Sequence, residues 1–292
     1  QDNAFSILDR SDLVFIDPVS TGYSRAAEGE EAKQFHGLEQ DVESVGEFIR
    51  LYVTRYKRWR SPKFLIGESY GTTRAASLAG YLQTRHGMYL NGVMLISLVL
   101  NFQTIDFHPG NDLSFILFLP SYTATAWFHG KLAPDLQADL HRTLAEVEAF
   151  AANEYSLALM AGDKLHGEQR ANLRIDIFRF VKQLLRGQRR TVGRLDSRFT
   201  GIDRDAAGEH FDFDPSYAAI QGPYAGALTD YVRGDLNFVS DLPYEILTGL
   251  YETWDYSKHQ NKYVNVAETL RAAMTQNPFL KVFVGSGYFD LA

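Results

Sequence analysis

The chain has 292 residues, 45% of them hydrophobic, with a formal net charge of −7 and no cysteine. That length and apolar share allow a sizeable globular core, the acidic balance argues against a nucleic-acid partner, and the absence of thiols excludes a disulfide framework and thiol chemistry. The longest apolar stretches, Gly92 to Leu100 and Phe115 to Pro120, fall far short of the roughly 20 residues of a spanning helix, so no membrane span is expected.

Gln1 to Arg10 carries no initiator methionine, charged segment or apolar run of a signal peptide, so any targeting segment is expected to have been removed or to lie upstream. Leu13-Val14-Phe15-Ile16 reads as a strand, followed by a turn from Asp17 to Gly22. From Leu38 to Tyr56 the apolar residues Leu38, Val42, Val45, Ile49, Tyr52 and Tyr56 recur at steps of three and four, the stripe of an amphipathic helix. This helix is expected to cross from the strand at Leu13 to a parallel strand at Lys63-Phe64-Leu65-Ile66. The basic runs Arg55 to Arg60 and Arg186 to Arg198 read as solvated helix ends or loops.

Directly after the strand at Lys63 comes Gly67-Glu68-Ser69-Tyr70-Gly71, then a helix-like run from Thr72 to Leu82. A G-x-S-x-G between a strand and a helix resembles the nucleophile elbow of the α/β-hydrolases. The serine there stands on a sharp turn, so the residues two before and two after it must be small, and its hydroxyl is presented at the carboxyl end of the strand. The plainer alternative is a glycine-rich loop in which Ser69 caps the helix. The flanking strand and helix favour the nucleophile.

Val93-Met94-Leu95-Ile96 and Lys281-Val282-Phe283-Val284 read as two further strands, giving a doubly wound, mostly parallel sheet. About 180 residues separate these two, far beyond a crossover of a dozen or so, and are expected to form a mainly helical cap. Helical periodicity runs through Pro134 to Ala152, with Leu136, Leu140, Leu144 and Val147 on one face, and through Arg170 to Leu185. Pro215 to Gly226 and Asn237 to Pro243 read as surface loops. The expected organisation is a first core part over 1–101, the cap over 102–278 and a last core part over 279–292. Such a cap leaves from the sheet edge where ligands of open α/β sheets bind, and Phe211, Phe213, Tyr217 and Tyr224 are its candidate pocket walls, with the core of the cap as the plainer alternative for most of them.

Gly285-Ser286-Gly287-Tyr288-Phe289 turns after the last strand and brings out Asp290 at the same edge as Ser69, the chain order nucleophile then acid. The plainer alternative for Asp290 is a surface turn. The histidine should come last, yet His36, His86, His108, His129, His141, His166, His210 and His259 all precede Asp290. Their spacing forms no metal motif, and they read as ordinary surface or cap side chains. The chain therefore reads as incomplete at its carboxyl end.

Three ordered motifs, F-I-D-P-V-S-T-G-Y-S from Phe15 to Ser24, G-E-S-Y-G from Gly67 to Gly71 and G-Y-F-D-L from Gly287 to Leu291, closely resemble the serine carboxypeptidases. The resemblance covers Asp12 to Asn101 and Lys281 to Ala292. It implies an α/β-hydrolase with a large cap, a secreted or periplasmic exopeptidase that removes carboxyl-terminal residues from peptides or proteins, usually at acidic pH, with no cofactor and no metal. By that likeness Ser69 is the nucleophile, Asp290 the triad acid and the Tyr70 N–H one oxyanion donor, while Glu68 and Tyr23 bind substrate. In relatives the glutamate before the nucleophile shares protons with the substrate's terminal carboxylate, which requires a raised pKa. A salt-bridged surface glutamate is the plainer alternative.

Departures from the family pattern are visible too. The asparagine-and-glycine loop that supplies the second oxyanion donor would lie before Gln1. Gly71-Thr72-Thr73-Arg74 stands where relatives commonly have alanine then glycine, and Asn101 lies where many have a glycine-asparagine pair, which weakens it as a binding residue. Without a base and with half an oxyanion hole, the chain by itself is expected to be nearly inert. An esterase or acyltransferase of the same fold and an inactive remnant are the alternatives, and Glu68 beside Ser69 favours the peptidase.

Overall fold

The computed structural model describes residues 3–165, 177–205 and 207–292. His166 and the first residues of the helix expected at Arg170 lie outside them. In chain order the first half contains α1 (Leu38–Arg55), β1 (Phe64–Glu68), α2 (Tyr70–His86) and β2 (Gly92–Ile96). A long insertion follows, with helices α3 (Leu113–Phe128), α4 (Pro134–Gln137), α5 (Leu140–Phe150), α6 (Ser156–Ala161) and α7 (Ile177–Gln183). It continues through the short hairpin β3 (Arg190–Val192) and β4 (Thr200–Ile202), then α8 (Pro215–Gly234) and α9 (Ala267–Gln276), and ends at β5 (Lys281–Gly285).

The protein is a mixed α/β structure built on a small parallel sheet in the order β1-β2-β5. Its register aligns Leu65, Val93 and Val282 in one row and Ile66, Met94 and Phe283 in the next. Side chains alternate across a strand, so these rows belong to opposite faces, and the two faces differ. Val93 and Leu95 are buried with α1, α2 and α9, in a core that also takes Val42, Leu78, Leu82 and Leu270. Ile66 and Phe283, on the other face, are each 58% exposed. Helices thus cover one face of the sheet among the described residues, and the doubly wound arrangement is met only in part.

The stripe of α1 folds as read in its first half, burying Leu38, Val42 and Val45 with Ile49 packed on the core, whereas at the far end Val53 is the buried residue and Tyr56, 63% exposed, lies just past the helix. The strand expected at Leu13 to Ile16 does not form. A strand exists by its ladder, and this segment has none; Phe15 is 87% exposed and Ile16 alone of the four packs on the core. With three strands instead of four, α1 is not a parallel crossover but a helix laid against α2.

The insertion is mostly helical and has its own core of Tyr122, Val181, Leu185, Val192 and Leu291, beside a fully buried Lys182 paired with Asp203. On α5 the inner face is Leu140, Thr143, Leu144 and Val147. Pro215 to Gly226, read as a loop, is the first half of α8. The Asp214 carboxylate accepts from the N–H groups of Ser216 and Tyr217 at 2.9 and 3.3 Å, and Pro215 fills the first helical position, a strong start that outweighs the glycines. Asn237 to Pro243 is irregular, as expected. Among the described residues no helix is long and apolar enough to cross a membrane.

Candidate active site

Ser69 joins the end of β1 to the start of α2 with φ 51° and ψ −121°, a conformation that L-residues rarely adopt. Strain of this kind costs about 1–3 kcal/mol and persists where its surroundings over-determine it. Here they do. The Ser69 N–H donates to the Ile96 carbonyl at 3.0 Å, continuing the ladder with β2 one residue past the strand. The Ser69 carbonyl accepts from the Thr72 N–H at 2.9 Å and from its hydroxyl at 2.7 Å. Gly67 is a second condition of the turn, because a Cβ there would stand 2.0 Å from the Gly71 carbonyl oxygen. Gly71 is under no such pressure, since a Cβ on it would meet nothing outside its own helix within 4 Å. The rule that both glycines must be small therefore holds for Gly67 alone.

Two buried threonines lock the start of α2 to the chain leaving β2. The Thr72 hydroxyl accepts from the Val99 N–H at 2.9 Å, and the Thr73 hydroxyl donates to the Val99 carbonyl at 2.6 Å. These are the residues at which the sequence departs from the carboxypeptidase pattern, and their bonds to Val99 give that departure a structural role.

Glu68 closes β1, in register with Ile96 and Gly285 at the carboxyl edge. Its carboxyl pKa is raised, first by burial and then by the Asp290 carboxylate. The two predicted acids are therefore within electrostatic reach of each other, at the edge where Ser69 emerges. Asp290 sits in a tight turn, its N–H donating to the Gly287 carbonyl at 3.1 Å and its Oδ1 accepting from the Ala292 N–H at 2.9 Å.

Tyr70 has two separate parts to play. Its N–H lies in the first turn of α2, where backbone donors have no carbonyl four residues back. Its ring turns inward, beneath the Arg74 guanidinium at 5.2 Å and edge-on to Trp254 at 5.3 Å. The predicted substrate residue Tyr23 belongs to the turn after Asp17: its N–H donates to Asp17 Oδ2 at 3.2 Å and its ring packs on Phe238 and Tyr244. That turn is tied toward the elbow through His36. The His36 Nε2 lies 3.0 Å from the Ser20 hydroxyl, and its ring stacks on Trp254, which in turn meets Tyr70. A cavity of about 660 Å³ opens beside this stack, lined by Lys33, His36, Gln40, Trp254, Asp255 and Ser257.

The remaining candidates are placed elsewhere. Asn101 caps a short helical turn by accepting from the Gln103 N–H at 3.1 Å. Phe211 joins the core of the insertion, Phe213 covers Gly201 of the small hairpin, and Tyr224 is 69% exposed on α8. His108 bonds Tyr263, His129 the Ser197 carbonyl, and His259 faces Glu39. Among the described residues no hydrogen bond joins a histidine to Ser69 or Asp290, and no cluster of three or more His, Cys, Asp or Glu side chains suits a metal ion.

Asp41 is a feature that reading by motif passed over. It lies three residues after Leu38 and four before Val45, inside the apolar stripe of α1, and an acid on such a stripe is the signal that it has a buried partner. No family model, no curated protein and no solved structure matches this chain.

Proposed function

We propose that this chain is part of a serine carboxypeptidase of the α/β-hydrolase fold, with residues 102–278 as its cap and the carboxyl terminus of a peptide or protein as its substrate. The observation that carries the reading is the positive-φ Ser69 elbow, with the Asp290 carboxylate raising the pKa of Glu68, the residue before Ser69. In this reading the Ser69 hydroxyl attacks the scissile carbonyl while a histidine takes its proton and passes it to the leaving amine of the carboxyl-terminal residue as the C–N bond breaks, and water then hydrolyses the acyl-enzyme, releasing the shortened peptide and Ser69. The Tyr70 N–H, in the first turn of a helix, meets the oxyanion. Asp290 orients the histidine. Glu68, whose pKa is raised first by burial and then by Asp290, shares a proton with the substrate's terminal carboxylate at acidic pH, and Tyr23 lines the approach.

The test uses the protein made from its whole reading frame, together with Ser69→Ala. A fluorophosphonate probe is expected to label the first and not the second. Peptides with a free carboxyl terminus should then be cut in preference to the same peptides amidated and to short acyl esters. Equal labelling of Ser69→Ala refutes the nucleophile, and preference for esters replaces the peptidase by an esterase of the same fold.

A further inference from the structure

Behind the elbow lies a pair of charges that the proposed chemistry does not use. Asp41 is 3% exposed on α1, and its Oδ2 accepts from Arg74 Nε at 2.7 Å. Arg74 stands one helical turn after Tyr70 on α2, and its guanidinium covers the Tyr70 ring. The Tyr70 hydroxyl is buried without a hydrogen bond, and the nearby Trp254 Nε1 also completes none. The Trp254 N–H still acts on the Tyr70 hydroxyl, so the ring is set by Trp254, edge-on to it, and by the Arg74 guanidinium over its face. Of these two, only Arg74 is itself held by a directional bond, the one to Asp41.

A buried carboxylate is a costly way to fill space, and an apolar pair of the same volume is often as stable. Burial outweighs the pull of Arg74 at Asp41, whose pKa is raised. What an ion pair supplies and an apolar pair does not is direction: the guanidinium plane is set by its bond to the carboxylate. Tyr70 is the residue next to Ser69, so repacking that displaces the Tyr70 Cα when its ring loses its contacts also shifts the peptide between them.

We propose that Asp41 and Arg74 are a positioning pair that holds Tyr70, and through it the Ser69–Tyr70 peptide, in the orientation that nucleophilic attack at Ser69 needs. The inference rests on Ser69 being the nucleophile. Both residues act through Tyr70 and touch no reacting atom.

The experiment compares Arg74→Met, Arg74→Lys and Asp41→Asn in the protein made from its whole reading frame. Fluorophosphonate labelling of Ser69 is expected to slow about tenfold in Arg74→Met, the scale set by small misplacement of a reacting group. Asp41→Asn, whose amide oxygen still accepts from Arg74 Nε, should stay within about twofold of wild type, and Arg74→Lys should fall between. Amide hydrogen exchange supplies a readout free of chemistry: protection should drop at residues 69–72 in Arg74→Met and stay unchanged at residues 79–83, at the far end of α2. Labelling at the wild-type rate, or exchange rising evenly along α2, overturns the proposal. If Arg74→Met does not fold, the ordering of Arg74→Lys and Asp41→Asn decides. If wild type itself fails to label, the nucleophile reading has failed, and the local exchange pattern still judges the pair.

Discussion

The Ser197 N–H donates to the Phe289 carbonyl at 2.8 Å, so the residue before Asp290 is held by the long insertion and not by the sheet. Other bonds make this a socket. Leu291 N–H donates to the Arg194 carbonyl at 2.8 Å, Ser197 is bonded to Thr125 on α3, and the Phe289 ring lies between Phe128 and Arg198. The sheet brings the chain to the edge, and the insertion decides where Asp290 stops.

Leu291 is the plug of that socket, fully buried in the core of the insertion. Leu291→Ala should lose about 2–5 kcal/mol by the usual cost of emptying a buried leucine site. Amides of residues 287–292 should lose exchange protection more than those of β5. Denaturant unfolding that shows a loss under about 1 kcal/mol would mean the loop is held by its backbone bonds alone.

The two glycines of the elbow should separate cleanly. Gly67→Ala forces a methyl against the Gly71 carbonyl and should be among the most damaging single substitutions in the chain, on the order of 3 kcal/mol or more. Gly71→Ala meets open space in a helix and should be neutral or gain up to about 1 kcal/mol. Similar losses from both, measured by chemical unfolding, would contradict the geometry of this turn.

Thr72 and Thr73 offer a second paired comparison. Thr72→Val takes the acceptor from the buried Val99 N–H and a donor from the Ser69 carbonyl, so it should cost about 2–3 kcal/mol. Thr73→Val removes the hydroxyl donor to the Val99 carbonyl but leaves the Val99 N–H and the Ser69 carbonyl satisfied by Thr72, and should cost about 1 kcal/mol. The reverse order in thermal or denaturant stability would show that the elbow is pinned through Thr73.

What the sequence discloses here is what local pattern controls. The stripe of α1, the apolar runs of β1, β2 and β5, and the glycines around Ser69 state their structure within a few residues. Leu13 to Ile16 carries the same kind of apolar run, but a strand needs a neighbour, and no feature of the segment itself reports whether one is there. The start of α8 is legible in Asp214-Pro215, a side-chain cap followed by a first-position proline, and the glycines further along do not break the helix. Asp41 with Arg74, and His36 with Ser20, join residues whose partners are set by packing, so spacing along the chain does not announce them.

Glu68 gives the sharpest test of the site's electrostatics. Its pKa in the folded protein is raised above 4.5, so the folded state holds this proton more tightly than the unfolded chain does. The linkage then has a definite sign: relative to Glu68→Gln, wild type is favoured while Glu68 is protonated, and that advantage is lost as pH rises from about 4.5 through the folded pKa. Asp290→Asn removes the second cause and leaves burial, so Glu68 should titrate lower than in wild type and still above its ordinary value. Carbon-13 titration of the Glu68 carboxyl in the two proteins reads both steps. A carboxyl that titrates at the ordinary value in wild type, or one indifferent to Asp290→Asn, would separate the two acids and remove the electrostatic case for a protonated Glu68 beside Ser69.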